Sequence, residues 1–566
     1  MMESPGKQCA SCHQYGALVC TNCRLLVYCG RDCQKAHWKE HKQHCKSPLM
    51  EESWQPIWVI QQQVPDMGDG EKPAQLFGGM SLFGDFPALD ILQLAANEGN
   101  AYDRDLSLLF AGKHLTVSLP IYYAAIDSFA ASGDMRNMLM SITSLPNDYT
   151  RTTNVVMNDS TKTNHVVVRN IIITLIALVA PDDDRAVDCM LHVWYSAFIT
   201  AQDRELLEEK VRPLVWNVVK PASDSNMSLT TKLAYTWHFG SSSCKVEMQK
   251  GVWDWLVSSL CRSPGLSAAQ AQRARASITH VEARQNFVDR HYVALKPTAR
   301  VCAQRFRDDG LLLPFGSDRR EFNVPNPTLF QYVAGEVTDI DLGLATNDLY
   351  GKLHHHVKNK LTQFRHRLAT QKFAFHFTNV SPEQLPTVLK SQHFDRIETS
   401  DTADAYRLGI APVILRLGPL LKTRKENPHA TLITFFTNAV QRISNEAVDM
   451  EPRVREGAQA FKYLPTPTIM FDAATVNALQ SSSLFRDSEE YFSRYMVKAS
   501  FAKLEEVSGD FVEGGLSMKK EHTIIEKFPY GLKIPFGQPG YQAEFDARIA
   551  ARLSGGERYV EWKRNA

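Results

Sequence analysis

No apolar stretch in this chain is long enough to cross a bilayer. The longest, Ile171–Ala180, runs for ten residues, against the about 20 that a spanning helix needs. Charge of either sign is not in excess: 63 Lys and Arg stand against 62 Asp and Glu, a net +1. Neither a polyanion nor an anionic membrane surface is therefore indicated as a partner. The patterns G-x-S-x-G, G-x-x-x-x-G-K-[ST] and H-E-x-x-H are missing, so no activated nucleophile, phosphate loop or catalytic zinc helix can be read. The opening residues, MMESPGKQCA, lack the apolar core of a secretory signal. Cysteine is sparse over most of the chain, with Cys189, Cys244, Cys261 and Cys302 standing singly, as reduced thiols do. The expected location is cytoplasmic or nuclear.

The other seven of the eleven cysteines crowd into the first 45 residues: Cys9, Cys12, Cys20, Cys23, Cys29, Cys33 and Cys45. With His41 they read C-x2-C-x7-C-x2-C-x5-C-x3-C-x7-H-x3-C. Eight ligands fill two tetrahedral zinc shells and leave no open position, so the ions are structural. A segment this short cannot bury enough apolar surface to fold alone. Zinc contributes on the order of 10 kcal/mol to such modules near neutral pH. An odd cysteine number argues against a disulfide framework.

This ligand order, with Gln34, Trp38 and the helix-like stretch 33–45, resembles the MYND zinc finger. The resemblance implies interleaved ligation, Cys9, Cys12, Cys29 and Cys33 on one ion and Cys20, Cys23, His41 and Cys45 on the other. His13, His37 and His44 read as solvated side chains, although His37, four residues before His41, could compete for metal. MYND fingers bind short proline-containing peptides, so a protein partner is implied. Residues 1–46 carry seven Lys and Arg against three acids, too few and too dispersed for a nucleic-acid footprint.

The length suggests several domain-sized units beyond the finger. The expected organisation is a finger over 1–46, a linker over 47–75 with an apolar cluster at Trp54–Ile60, and a first α/β part over 76–183. A helical part over 184–325, a second α/β part over 326–470 and a helical or irregular region over 471–566 follow. Leu106–Ala111, Asn154–Met157, Phe373–Phe377 and Leu432–Phe436 read as buried strands. Val166–Leu178, Asp184–Thr200, Glu205–Val219 and Ala268–Ala294 read as helices. Strands alternating with helices indicate a sheet covered on both faces. Trp194, Trp216, Trp237, Trp253 and Trp255 read as core, Ser241–Ser243 with Cys244 as a loop, and His354–His356 as a solvated helix surface. The segment from Glu513 reads as an irregular arm with a mobile end, GERYVEWKRNA.

Three stretches, 77–92 (FGGMSLFGDFPALDIL), 131–140 (ASGDMRNMLM) and 394–440, resemble a largely uncharacterised family of fungal MYND proteins. That family shares its first large domain, of unknown function, with a dynein axonemal assembly factor. In physical terms the order is that of a Rossmann-like, methyltransferase-like sheet. A strand, LSLLFA, precedes a turn containing Gly133 and Asp134 and then a helix. A second strand ends at Asn158 and Asp159, and a third segment, Arg396–Ser400, carries Glu398. Gly133, Asp134 and Asp159 are the candidate cofactor-binding residues. A lone glycine is ordinarily turn chemistry, and Asp159 and Glu398 are ordinarily helix caps or solvated loop acids.

Removing Gly112–Ala130 would join Ala111 to Ala131 and give the continuous LLFAASGDMRN turn of the resembling family. The ends of this segment can be encoded by splice-donor and splice-acceptor letters. The expectation is a translated, unspliced intron, with a genuine loop insertion as the alternative; long structureless loops are uncommon in compact domains. Transcript sequencing across codons 105–140 decides between them. The functional expectation is a zinc-binding scaffold that recruits a peptide through its finger, its large domain without catalysis. An S-adenosylmethionine-dependent methyltransferase is the alternative, and a transcriptional regulator the second.

Overall fold

The computed structural model describes residues 8–65, 86–112, 135–160, 164–180, 183–261, 267–326, 343–389, 392–404, 407–446, 451–469, 471–499, 512–513 and 515–565. The strands in chain order are β1 (Leu18–Val19), β2 (Val27–Tyr28), β3 (Leu106–Ala111), β4 (Thr152–Asn158), β5 (Phe198–Ile199), β6 (Lys232–Phe239) and β7 (Ser242–Gln249). They continue with β8 (Val324–Pro325), β9 (Lys372–Thr378), β10 (Arg396–Glu398), β11 (Thr431–Phe436), β12 (Val512–Glu513), β13 (Leu516–Met518) and β14 (Arg558–Arg564).

Ten of these form one sheet in the order β12-β13-β14-β11-β10-β3-β4-β9-β7-β6. The six from β11 to β7 run parallel, while β14 continues the sheet antiparallel beside β11 and β6 closes the other side as an antiparallel edge. The parallel strands are apolar on both faces (LSLLFA, TLITFF) because helices cover both. Leu108, Phe110, Val155 and Phe375 face the helices His165–Val179, Asp184–Tyr195 and Leu349–Thr370. Leu109, Val156, Ile397 and Leu432 face Ile410–Leu417 and Ser488–Lys498. All four strands expected from the sequence are present. From β3 the chain builds outward through β4, then returns to lay β10 against the other side of β3. Strand order thus reverses between β3 and β10.

Several expectations fail. Ser242–Cys244 belongs to β7 and is not a loop: Gly240 takes φ +57° and closes a two-residue hairpin between β6 and β7. The helix expected over Asp184–Thr200 stops at Tyr195. Thr200 and Asp203 then form a reciprocal capping box that starts another helix. The stretch expected as one helix over Ala268–Ala294 breaks between Thr279 and Gln285. Trp194, Trp237 and Trp253 are core, Trp255 is half-buried, and Trp216 is exposed.

The expected mobile end is β14. Tyr559, Val560, Glu561 and Trp562 are all buried, because this strand lies inside the sheet between β11 and β13. The buried Glu561 carboxylate accepts from the amides of Thr523, Ile524 and Ile525 and pairs with Lys519 at 2.9 Å. An internal charge of this kind is tolerated only with such partners. His354 is buried rather than solvated, and His355 and His356 are half-buried. Among the described residues no helix is long and apolar enough to cross a membrane.

Candidate metal centres and a buried polar cluster

The turn before β1, the β1–β2 hairpin and the helix Arg31–Cys45 carry the amino-terminal ligands. Two tight turns reverse the chain at positive φ, His13 at 62° and Arg24 at 53°. They bring Cys9 toward Cys12 and Cys20 toward Cys23. The thiols of Cys9, Cys12, Cys29 and Cys33 gather in one cluster, and those of Cys20, Cys23 and Cys45 with the His41 imidazole in another. Within each, the ligand atoms lie within 4.8 Å of one another. Sulfur separations are 3.5 Å for Cys12–Cys29, 3.4 Å for Cys29–Cys33 and 3.8 Å for Cys20–Cys45. A tetrahedral zinc about 2.3 Å from each sulfur sets them about 3.8 Å apart. Donor type, number and spacing fit two zinc ions, in the interleaved pairing that the resemblance implied.

His41 turns Nε2 toward Cys23 Sγ at 3.4 Å. Its Nδ1 lies 3.1 Å from the Tyr28 hydroxyl, the outer contact that fixes a metal-bound imidazole. The same hydroxyl lies 3.0 Å from His37 Nδ1, and His37 Nε2 faces Glu40 at 3.4 Å. His37 therefore supports the site and does not compete for the ion. Burial lowers His41 to about 4 and keeps the imidazole neutral. Burial pushes the Cys23 and Cys45 thiols up, and the hydrogen bonds with Cys33 and Cys12 push Cys29 up to about 12. Crowded thiols resist ionising together; a divalent cation relieves that resistance. Burial also raises Cys9, but the amides of Cys12, Ser11 and Cys29 outweigh it and bring this thiol down to about 6.

The two centres differ in exposure. Cys12 and Cys29 are exposed and Cys33 is half-buried, whereas all four inner ligands are buried. The inner centre sits against the rest of the chain. Asn347 Nδ2 donates to Cys23 O at 2.9 Å, and the Asn347 amide donates to Arg24 O at 3.3 Å. Leu25 and Leu26 pack with Val301, Cys302 and Phe315. The His44 ring meets Phe315 edge-on at 5.2 Å, and burial lowers its pKa to about 4. Of the three spare histidines only His13 is solvated as expected. Pairing of the finger with Asn347 and Phe315 carries no signal in the sequence. The apolar cluster at Trp54–Ile60 does dock: Trp58 is buried and its indole donates to Phe471 O at 3.0 Å.

Gly133, Asp134 and the expected insert beyond Gly112 lie outside the described residues. Asp159 and Glu398 close β4 and β10 at the same end of the sheet, and both are buried, not solvated. The Asp159 amide donates to Thr378 O at 3.2 Å, and its carbonyl accepts from Asn379 Nδ2 at 2.6 Å. One Glu398 oxygen accepts from the Ser400 amide at 2.6 Å, and the Asn137 side chain bears on the same carboxyl. Burial raises this carboxyl to about 8, so it is mostly protonated at neutral pH. Ser400 sits at φ +47°, a conformation unusual for a residue with a side chain. The turn beyond it holds a buried Asp401–Arg407 pair at 3.3 Å and Asp404, which accepts from the Thr437 and Asn438 amides. Asp401, Asp404 and Arg407 fall within the stretch 394–440 and carry no site signal of their own in the sequence, because spacing alone does not mark a buried pair.

Comparison with protein families matches residues 9–45 to the MYND finger and residues 82–199 to a domain of unknown function, DUF4470. The second match takes in β3, β4 and β5. No solved structure matches the chain.

Proposed function

We propose that this chain is a zinc-dependent interaction protein whose finger recruits a peptide, the large α/β region serving as a scaffold. One observation carries the reading. Tyr15, Leu18 and Trp38 are 67%, 44% and 38% exposed on a frame held by the two metal clusters. Large apolar side chains kept at the surface of so small a module mark a docking face. Leu18 lies in β1, whose only partner strand among the described residues is β2, so an extended peptide can add alongside it. Trp38 rises from a helix bearing Arg31, Lys35, Lys39 and Lys42, which favours a peptide with acidic flanks. A proline-containing core accords with MYND fingers in general. Reduced thiolate ligands accord with the cytoplasm or nucleus, as does the resemblance to fungal MYND proteins that share a domain with a dynein assembly factor.

Peptide-array capture by the full-length, zinc-loaded chain tests this reading. Trp38→Ala should lower capture at least tenfold with both zinc equivalents retained. Equal capture by the variant sinks the proposal.

A second reading, S-adenosylmethionine-dependent methyl transfer, has one supporting observation. Six parallel strands reverse their order between β3 and β10, and an antiparallel strand follows β11, an order compatible with a methyltransferase-like sheet. Gly133, Asp134 and Asp159 remain its candidate cofactor residues. Methyl transfer from labelled cofactor to a peptide captured by the finger would establish it.

A further inference from the structure

Of the eleven cysteines only Cys12 and Cys29 are exposed, and both belong to the outer metal cluster. Their sulfurs lie 3.5 Å apart, although Cys12 sits in the turn before β1 and Cys29 directly follows β2. In the same cluster Cys9 is fully buried and Cys33 is half-buried. The four inner ligands are all buried, behind the packing of Leu25 and Leu26 with Val301, Cys302 and Phe315. Elsewhere Cys189, Cys244 and Cys302 are buried and Cys261 is half-buried. An oxidant in solvent therefore meets two cysteines first, and the two are neighbours.

Zinc ligation holds cysteine as thiolate, the form that reacts with peroxides. Susceptibility to oxidation follows thiolate character and exposure, and a sensing thiolate needs a second one within reach to resolve it. The outer cluster supplies both. We infer that the Cys12–Cys29 pair is a peroxide-sensitive switch on the recruiting face of the finger. One exposed thiolate attacks an oxygen of hydrogen peroxide; the O–O bond breaks, and a sulfenic acid and a hydroxide form. The other thiolate attacks that sulfur and displaces a second hydroxide, leaving a Cys12–Cys29 disulfide. The two sulfurs together give up two electrons, and the peroxide takes them. Cys9 and Cys33 alone cannot complete a tetrahedral shell, so the outer ion is released. The inner cluster has no exposed sulfur and keeps its ion.

The consequence falls on docking. The outer cluster closes the turn in which the Cys9 amide donates to Gln14 O at 2.7 Å and Gln8 bridges to Tyr15. The placement of Tyr15 therefore depends on that cluster. Trp38 is held differently: its ring meets that of His41, an inner ligand, edge-on at 5.4 Å. Oxidation removes one side of the peptide's seat and leaves the other. The loss of capture rests on the recruitment reading; the loss of zinc does not.

The experiment treats the full-length, zinc-loaded chain with millimolar hydrogen peroxide beside a zinc-binding dye, then maps the cysteines by alkylation and peptide mass spectrometry. One zinc equivalent per chain should appear, with a Cys12–Cys29 disulfide and the inner cysteines unmodified. A thiol reductant with added zinc should restore the reduced pair. Peptide capture should fall at least fivefold on oxidation and return on reduction. No zinc released, both equivalents released together, or a different pair joined overturns the switch. Unchanged capture by the oxidised chain overturns its role in docking. Where the untreated chain captures no peptide, the recruitment reading fails, while zinc release and the disulfide map still decide the chemistry of the pair.

Discussion

Tyr28 stands between two imidazoles, and only one of them belongs to a metal centre. Its hydroxyl lies 3.1 Å from His41 Nδ1 and 3.0 Å from His37 Nδ1, so its removal frees the ring of a ligand without removing the ligand. Tyr28→Phe should weaken the inner zinc about 10-fold or more in chelator competition, the usual cost of losing an outer contact to a metal-bound imidazole. His37→Ala should retain two equivalents of zinc. Sequence spacing alone left His37 as a rival, because residues four apart share a helix face; the direction of its ring decided the matter.

Glu398 supplies a second test at the same scale. Its folded pKa is about 8, against 4.5 for the unperturbed carboxyl. Between these values the folded chain holds a proton that the unfolded chain has released. Stability from this group is therefore fully present below the unfolded value and falls as pH rises toward 8. Glu398→Gln, which stays neutral, should show a shallower decline in urea midpoint between pH 5 and 8 than the parent chain. Identical slopes would mean that the carboxyl is ionised in the fold.

At the level of elements, β14 decides what the carboxyl-terminal region does. Its residues looked dispensable because GERYVEWKR mixes charge with aromatics and follows glycine-rich chain. Charge in a central strand is ordinarily a sign of exposure. Here Glu561 is neutralised by Lys519 and three amides, and Trp562 is fully buried, its indole donating to Thr434 Oγ1 at 3.0 Å. Trp562→Ala should cost about 3–5 kcal/mol, the range for deleting a buried aromatic, read as a shift in denaturation midpoint. A mobile tail would show none. The parallel strands were legible for the opposite reason: burial on both faces leaves continuous apolar runs that need no partner to be recognised. The β6–β7 hairpin carries a plainer signal in its strand than in its turn: CKVEMQ alternates apolar with polar residues, as the burial of β7 does, but Gly240–Ser241 resembles any loop.

For the whole molecule, the finger is held as well as folded. Asn347 bonds the backbone beside Cys23, and Phe315 seals Leu25, Leu26 and His44. The outer centre, with two exposed cysteines, lacks that shelter. Zinc should leave in two phases on addition of a chromogenic chelator, the outer equivalent first. Asn347→Ala should accelerate only the slower phase. A single phase would mean that the body does not protect the inner ion.

Eight ligands in one order determine two zinc ions, since thiolate and imidazole chemistry depends on residue type and local spacing, both written in the chain. The covered parallel sheet is determined by sequence for a similar reason, runs of apolar residues having no other stable environment. Tertiary structure alone decided that the Glu398 carboxyl is buried, that β14 enters the sheet, and that the finger rests on Asn347 and Phe315. Each is a contact between residues distant in the chain, and the free energy of burying a polar atom depends on what surrounds it, which no local pattern records.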